Sequence, residues 1–162
     1  MHPPILETRT ERWPDEDACA ARAQARAARG SLRDAFIELQ GPLGAGKTTF
    51  VRHLLRALGV AGRIKSPSYA VVEPYELSGA DGAPRGMAWH FDFYRFGDEH
   101  EWEDAGLRDV FAGGGLKLVE WAQNAGETLP VPDLKMELEP MDDDRRAVTI
   151  SAYTPRGLEL LR

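Results

Sequence analysis

The sequence predicts an α/β domain, with a central mixed and mostly parallel sheet, helices on both faces and antiparallel hairpin additions. Three observations carry that expectation. The apolar run Ala35-Phe36-Ile37-Glu38-Leu39 enters a glycine-rich turn, Gly41-Pro42-Leu43-Gly44-Ala45-Gly46-Lys47-Thr48, and a helical stretch leaves it. A second apolar run, Leu116-Lys117-Leu118-Val119, stops on the carboxylate of Glu120. Near the end, the segments 135–139 and 147–151 flank Asp142-Asp143-Asp144 and read as a hairpin.

Taken in order, Ile5 to Thr10 reads as a short edge strand. Trp13-Pro14-Asp15-Glu16 reads as a helix entry with acidic residues in its first turn. That helix runs through an alanine-rich stretch to about Arg29 and stops at Gly30. Arg22, Arg26 and Arg29 share one of its faces, which reads as a solvated face in preference to a binding stripe. The strand and glycine-rich turn follow, then a helix over 48–58 closed by Gly59. Residues 69–75 and 87–94 read as antiparallel strands joined by the Gly/Ala/Pro-rich segment 78–86, with Pro74 marking a strand end or a sheet edge. The acidic stretch 98–104 reads as helical, and Asp109-Val110-Phe111 as part of a second short helix. Glu120 and Trp121 close the next strand, and after the final hairpin Thr154-Pro155 caps a terminal helix through Leu161.

The whole chain, 162 residues and 18.0 kDa, fits one domain spanning 1–162 and is long enough to bury a core. Its 43% hydrophobic and 28% charged residues are ordinary for a globular protein. The net charge of -6 gives a field that does not favour nucleic acid, so no DNA partner is expected and RNA contact needs a local patch or another protein. The single cysteine, Cys19, excludes an internal disulfide and a Cys-based zinc site, and reads as a small buried residue. No basic-then-apolar signal pattern opens the sequence and no apolar run is long enough to span a membrane. The expectation is a cytoplasmic protein with no membrane partner.

The turn at 41–48 fits G-x-x-x-x-G-K-[ST], the phosphate-binding P-loop. Its glycines let successive backbone N–H groups converge on an anion. Lys47 places a compact positive charge on the outer phosphates, the Thr48 hydroxyl can ligate the accompanying magnesium, and the following helix aims its positive end at the same anion. A P-loop also needs an acidic residue at a nearby strand end, for magnesium or its waters. Glu120 qualifies, and so does Asp92 in His90-Phe91-Asp92-Phe93-Tyr94; the residues alone do not say which ligates the metal. Ser66 and Ser68 sit in a Pro-containing loop of the kind that senses a terminal phosphate, or else form an ordinary turn. Trp121 reads equally as a stacking surface for a base or partner and as core.

Together these residues resemble the TsaE (YjeE) family, small bacterial ATPases serving threonylcarbamoyladenosine modification of tRNA. The family's G-x-L-G-A-G-K-T-T is matched by Gly41 to Thr49, its S-P-T-[FY] by Ser66-Pro67-Ser68-Tyr69, its H-x-D-L-Y-R by His90 to Arg95, and its E-W by Glu120-Trp121. Pro14-Asp15-Glu16 echoes an N-terminal motif that lies near the adenine in the family. Ser68 stands for the usual Thr, Phe93 for Leu, and Ala122-Gln123 for a common Pro-Glu.

The resemblance implies ATP and Mg2+ as cofactors. Contacts are implied at Pro14, Gly44, Ala45, Gly46, Lys47, Thr48, Thr49, Ser66, Ser68 and Trp121, metal ligation among Thr48, Asp92 and Glu120, and catalytic roles for Lys47, Asp92 and Glu120. It further implies slow hydrolysis alone and docking on the TsaB and TsaD proteins. There the ATPase supports threonylcarbamoyl transfer to the adenosine next to the anticodon of ANN-reading tRNAs, touching tRNA only through the complex. Two other classes compete: a small-molecule or nucleoside kinase, which usually needs an arginine-bearing lid, and a GTPase-like switch. The one long loop expected, 78–86, carries a single arginine, and no [NT]-K-x-D guanine-reading motif occurs.

Overall fold

A computed structural model describes residues 3–65, 67, 71–79, 81–94 and 106–162. These form one seven-stranded sheet. In chain order the elements are β1 (Glu7–Trp13), α1 (Glu16–Ala27), β2 (Phe36–Gln40), α2 (Lys47–Ala57), β3 (Val72–Ser78), β4 (Pro84–Asp92), α3 (Leu107–Ala112), β5 (Leu116–Glu120), β6 (Leu134–Pro140), β7 (Arg146–Ala152) and α4 (Pro155–Leu161). The strands lie in the order β1-β7-β6-β2-β5-β4-β3. β2 pairs in parallel with β6 and β5, and β5 with β4, while β1–β7, β6–β7 and β3–β4 are antiparallel. The expected mixed sheet, parallel at its centre with antiparallel additions, is therefore the observed one.

Strand alternation splits the apolar side chains between two cores. Ile37, Leu39, Leu116 and Leu118 face Phe50, Leu54 and Leu55 of α2, Cys19 and Ala23 of α1, and Leu160 and Leu161 of α4. Trp13 stacks on Phe50 with ring centroids 5.5 Å apart, tying the end of β1 to α2. On the opposite face Phe36, Phe91 and Val119 meet Leu107 and Phe111 of α3. The Phe36 and Phe111 rings meet edge to face at 4.8 Å, a favoured aromatic geometry. Cys19 is buried, as expected.

Element ends move where pairing, not residue type, sets them. β1 begins two residues late and runs on to Trp13, because each of its residues finds a β7 partner from Glu7↔Ala152 to Trp13↔Arg146. The first hairpin is 72–78 against 84–92, where 69–75 and 87–94 are expected, and its register shifts between Leu77 and Ser78. Pro74 lies inside β3, which is an edge strand and so tolerates a residue with no N–H. α1 stops at Ala27, and Gly30–Leu32 turns as a 3-10 segment that buries Leu32. Its arginines are not one solvated face. Arg26 is buried and donates to Glu11 Oε2 at 2.9 Å, whereas Arg22 is exposed. The helix expected over 98–104 lies outside the described residues.

Candidate functional site

The parallel register brings the carboxyl ends of β2, β5 and β4 level, with Leu39 beside Glu120 and Glu120 beside Asp92. In open α/β sheets this edge is where ligands bind. The 41–48 turn rises from β2 at this edge, with Gly41, Gly44 and Gly46 all at positive φ, 149°, 80° and 101°. Gly41 is held by space as well, since a Cβ there would lie 2.5 Å from the carbonyl oxygen of Leu138 on β6.

Helix ends decide what this loop can bind. α1 and α4 are capped by side chains, Asp15 Oδ1 accepting from Ala18 N at 2.9 Å and Thr154 Oγ1 from Gly157 N at 3.0 Å. α2 starts on Gly46, which offers no side-chain cap. The first-turn N–H groups of Lys47, Thr48 and Thr49 thus point outward at the positive helix end. The loop fits a polyphosphate on this ground.

Around it, Leu43 to Thr49 line a cavity of about 310 Å³ together with Asp92, Glu120 and Trp121. Lys47 is buried and donates from Nζ to Gly41 O at 2.5 Å, while the same ammonium lies 4.0 Å from the Trp121 ring centroid. Burial lowers the Lys47 pKa, and the charges of Glu120 and Asp92 work against that shift. Trp121 holds a left-handed backbone, φ 60° and ψ 40°, rare for a bulky residue and characteristic of sites under functional strain. Its ring also meets Tyr94, centroids 5.0 Å apart. The two readings of Trp121 resolve into a half-buried ring against the lysine of the loop.

Glu120 is buried beneath the start of α2, and Thr48 Oγ1 donates to its carboxylate at 3.2 Å. His90 Nε2 lies 2.6 Å from the same Oε2. Asp92, half-buried next to Glu120, accepts from Tyr94 N at 2.9 Å. Burial raises the Asp92 carboxyl above its ordinary pKa, the Tyr94 hydrogen bond opposes this, and the Glu120 charge adds to it. A hydroxyl and two carboxylates at one cavity wall make a hard-oxygen donor set of the kind magnesium takes.

A second cavity, of about 420 Å³, adjoins the first and shares Gly46, Thr49 and Arg146 with it. Pro14, Asp15 and Glu16 also line it. Arg146, the first residue of β7, donates from Nε to Ala45 O at 2.7 Å and lies at the junction of the two spaces.

The structure therefore brings together Gly44, Ala45, Gly46, Lys47, Thr48, Thr49, Asp92, Glu120 and Trp121 around one cavity and sets Pro14 in the next. Ser66 and Ser68 lie outside the described residues. Sequence reasoning assigns no role to His90 or Arg146, although His90 stands in a quoted motif. Their contacts span 30 and 101 residues, and no spacing rule reaches that far.

Fold and site define the class: an α/β protein whose central parallel strand feeds an uncapped helix through a glycine-rich loop. The family model for "Threonylcarbamoyl adenosine biosynthesis protein TsaE" matches residues 13–148, and the chain belongs to that family. It is 37% identical over 126 residues to the tRNA threonylcarbamoyladenosine biosynthesis protein TsaE of Haemophilus influenzae, covering 78% of this chain and 75% of that one. With the protein of the same name from Bacillus subtilis it shares 38% over 120 residues, covering 74% and 71%. The crystal structure of B. subtilis YdiB superposes with a TM-score of 0.75 at 30% identity, over 98% of this chain and 94% of that one. Among the described residues no helix is long and apolar enough to cross a membrane.

Proposed function

We propose that this chain is a magnesium-dependent ATPase of tRNA threonylcarbamoyladenosine biosynthesis, weak alone and acting within a complex. The pathway is the one its relatives' names carry. The single observation that carries the ATPase reading is the Thr48 hydroxyl 3.2 Å from Glu120 Oε2, directly beside the uncapped start of α2. It supports a polyphosphate seat with a cation seat next to it.

In this reading the 44–49 backbone binds the phosphates and Lys47 Nζ turns from Gly41 O toward the outermost one. Thr48 and Glu120 would hold magnesium, which would supply neutralisation of the phosphate charge when bound. Asp92, register partner of Glu120 and with its carboxyl raised by burial, orients the attacking water and accepts its proton. The base occupies the cavity floored by Pro14, with Arg146 at the junction. Ser66 and Ser68 read the terminal phosphate.

The protein docks on the TsaB and TsaD proteins in the cytoplasm and meets tRNA only through them. The 1–162 chain acts as one ATPase domain. Its output is a conformation that supports threonylcarbamoyl transfer to the adenosine beside the anticodon. ATP hydrolysis measured with and without the TsaB–TsaD pair tests this, with faster turnover expected in its presence. Turnover that neither needs magnesium nor responds to the pair would refute it.

A further inference from the structure

His90 is an unusual expense of a buried position. It lies on β4 two residues before Asp92, 1% exposed, with its neighbour in register being Leu118 of β5. An apolar residue would pack there beside Leu118 with no polar atom to satisfy. Instead the ring places Nε2 2.6 Å from Glu120 Oε2, and its Nδ1 has no hydrogen-bond partner among the described residues. Buried polar atoms are rarely left so, and each such case calls for a reason.

The unpaired atom also assigns the ring's hydrogen bonding. A proton on Nδ1 would be buried with nothing to accept it, so the network puts the ring proton on Nε2, donated to Glu120. Glu120 Oε2 then receives two bonds, from His90 at 2.6 Å and from Thr48 at 3.2 Å. Among the described residues, Oε1 has a longer contact from Thr48, at 3.4 Å. One carboxylate oxygen is thus held by two donors, and Glu120 itself lines the cavity of the loop.

We infer that His90 is a positioning residue for the cation seat: its Nε2–H fixes the Glu120 carboxylate so that Oε1 and the Thr48 hydroxyl converge on magnesium. This rests on the magnesium-dependent ATP reading above. Partners of this kind, one bond behind a ligating group, set its orientation, and their loss typically weakens metal affinity about 10- to 100-fold. His90 acts through Glu120, whose carboxylate its Nε2 meets at 2.6 Å.

The test is the magnesium concentration that half-saturates the tightening of ATP binding, measured by calorimetry on the full chain. His90→Gln, whose amide nitrogen reaches the Nε2 position, should stay within a few-fold of wild type. His90→Asn, which reaches only the Nδ1 position, and His90→Phe, which fills the space without a donor, should need about 10- to 100-fold more magnesium. ADP binding without magnesium should be unchanged in all three. In a Glu120→Gln background the His90 substitutions should add nothing, whereas a purely structural role would add its full effect there. Melting midpoints identify any variant that fails to fold, and the Gln–Asn pair keeps the comparison between two polar side chains.

A second readout needs no nucleotide. Nitrogen-15 correlation spectra of the imidazole in the nucleotide-free protein should show the proton on Nε2. A proton on Nδ1 alone, or an unchanged magnesium requirement in His90→Asn, overturns the inference. Wild-type ATP binding that magnesium does not tighten instead overturns the ATPase reading on which it rests.

Discussion

Asp92 and Glu120 are register partners at the ends of adjacent parallel strands, so two carboxylates stand side by side over the start of α2. Neither sits on the surface: Glu120 is buried and Asp92 half-buried. Their pairing makes the site costly to the folded chain and useful to a cation.

That cost gives the first prediction. The Asp92 carboxyl has a raised pKa in the folded state, chiefly through burial. Between its unfolded and folded values the folded chain holds more proton than the unfolded one, so stability falls as pH rises through that window. The stabilising contribution is complete below the unfolded value of about 4 and gone above the folded one. Asp92→Asn should remove this slope and raise the melting midpoint of the nucleotide-free protein at neutral pH. Denaturation curves across the acid range check it. The same variant should keep ATP binding and lose turnover by about 100-fold or more, and wild-type turnover would return Asp92 to a bystander.

Lys47 is the second case. Its ammonium is buried between Gly41 O and the Trp121 ring. Lys47→Ala should weaken ATP binding at least ~10-fold, since charge-assisted hydrogen bonds are worth about 1.5–3 kcal/mol. It should also change Trp121 fluorescence while leaving the chain folded. Unchanged affinity by calorimetry would remove the phosphate role of the loop.

Two glycines separate strain from space. Gly41 and Gly44 both have positive φ, but a Cβ meets Leu138 O at 2.5 Å only at Gly41, and nothing within 4 Å at Gly44. Gly44→Ala should cost about 1–2 kcal/mol of backbone strain. Gly41→Ala should cost more, because either the loop or β6 must also move. Urea denaturation compares them, and equal losses would show that the Leu138 contact yields freely.

Arg146 holds the loop from outside, through Ala45 O at 2.7 Å and Gly44 O at 3.4 Å. Arg146→Ala should weaken nucleotide binding by about 10-fold, the worth of one good charged hydrogen bond. Arg146→Lys should recover little, because an ammonium lacks the planar fork that spans two carbonyls. Full recovery by lysine would mean that charge alone matters at this position.

Much of the molecule is readable from adjacent residues. The 41–48 loop is contiguous, so its glycines, Lys47 and Thr48 announce themselves by spacing, and the strand before and helix after follow from local periodicity. The helix entry at 13–16 and the Thr154 cap are equally local and hold in the structure, which adds Asp15 as the cap of α1. Glu120 is visible as a carboxylate closing an apolar run, and Asp92 as a carboxylate among aromatics near the end of the expected strand 87–94, which the structure ends at Asp92.

The tertiary structure alone decides what depends on register between strands. Whether Asp92 and Glu120 touch one cavity, which of them meets Thr48, and that His90 bonds Glu120 are set by β4 lying parallel beside β5. Arg146 reaches the loop only because β7 pairs with β6, whose Leu138 packs against Gly41. Trp121, open to two readings by composition, is aimed at Lys47 by a left-handed backbone that no propensity predicts. The sequence by itself determined the family, the sheet's elements and the loop, since their signals are periodic or contiguous along the chain. The side-chain partners around the loop come from segments 30 to 101 residues apart, and such contacts exist only once the sheet has chosen its strand order.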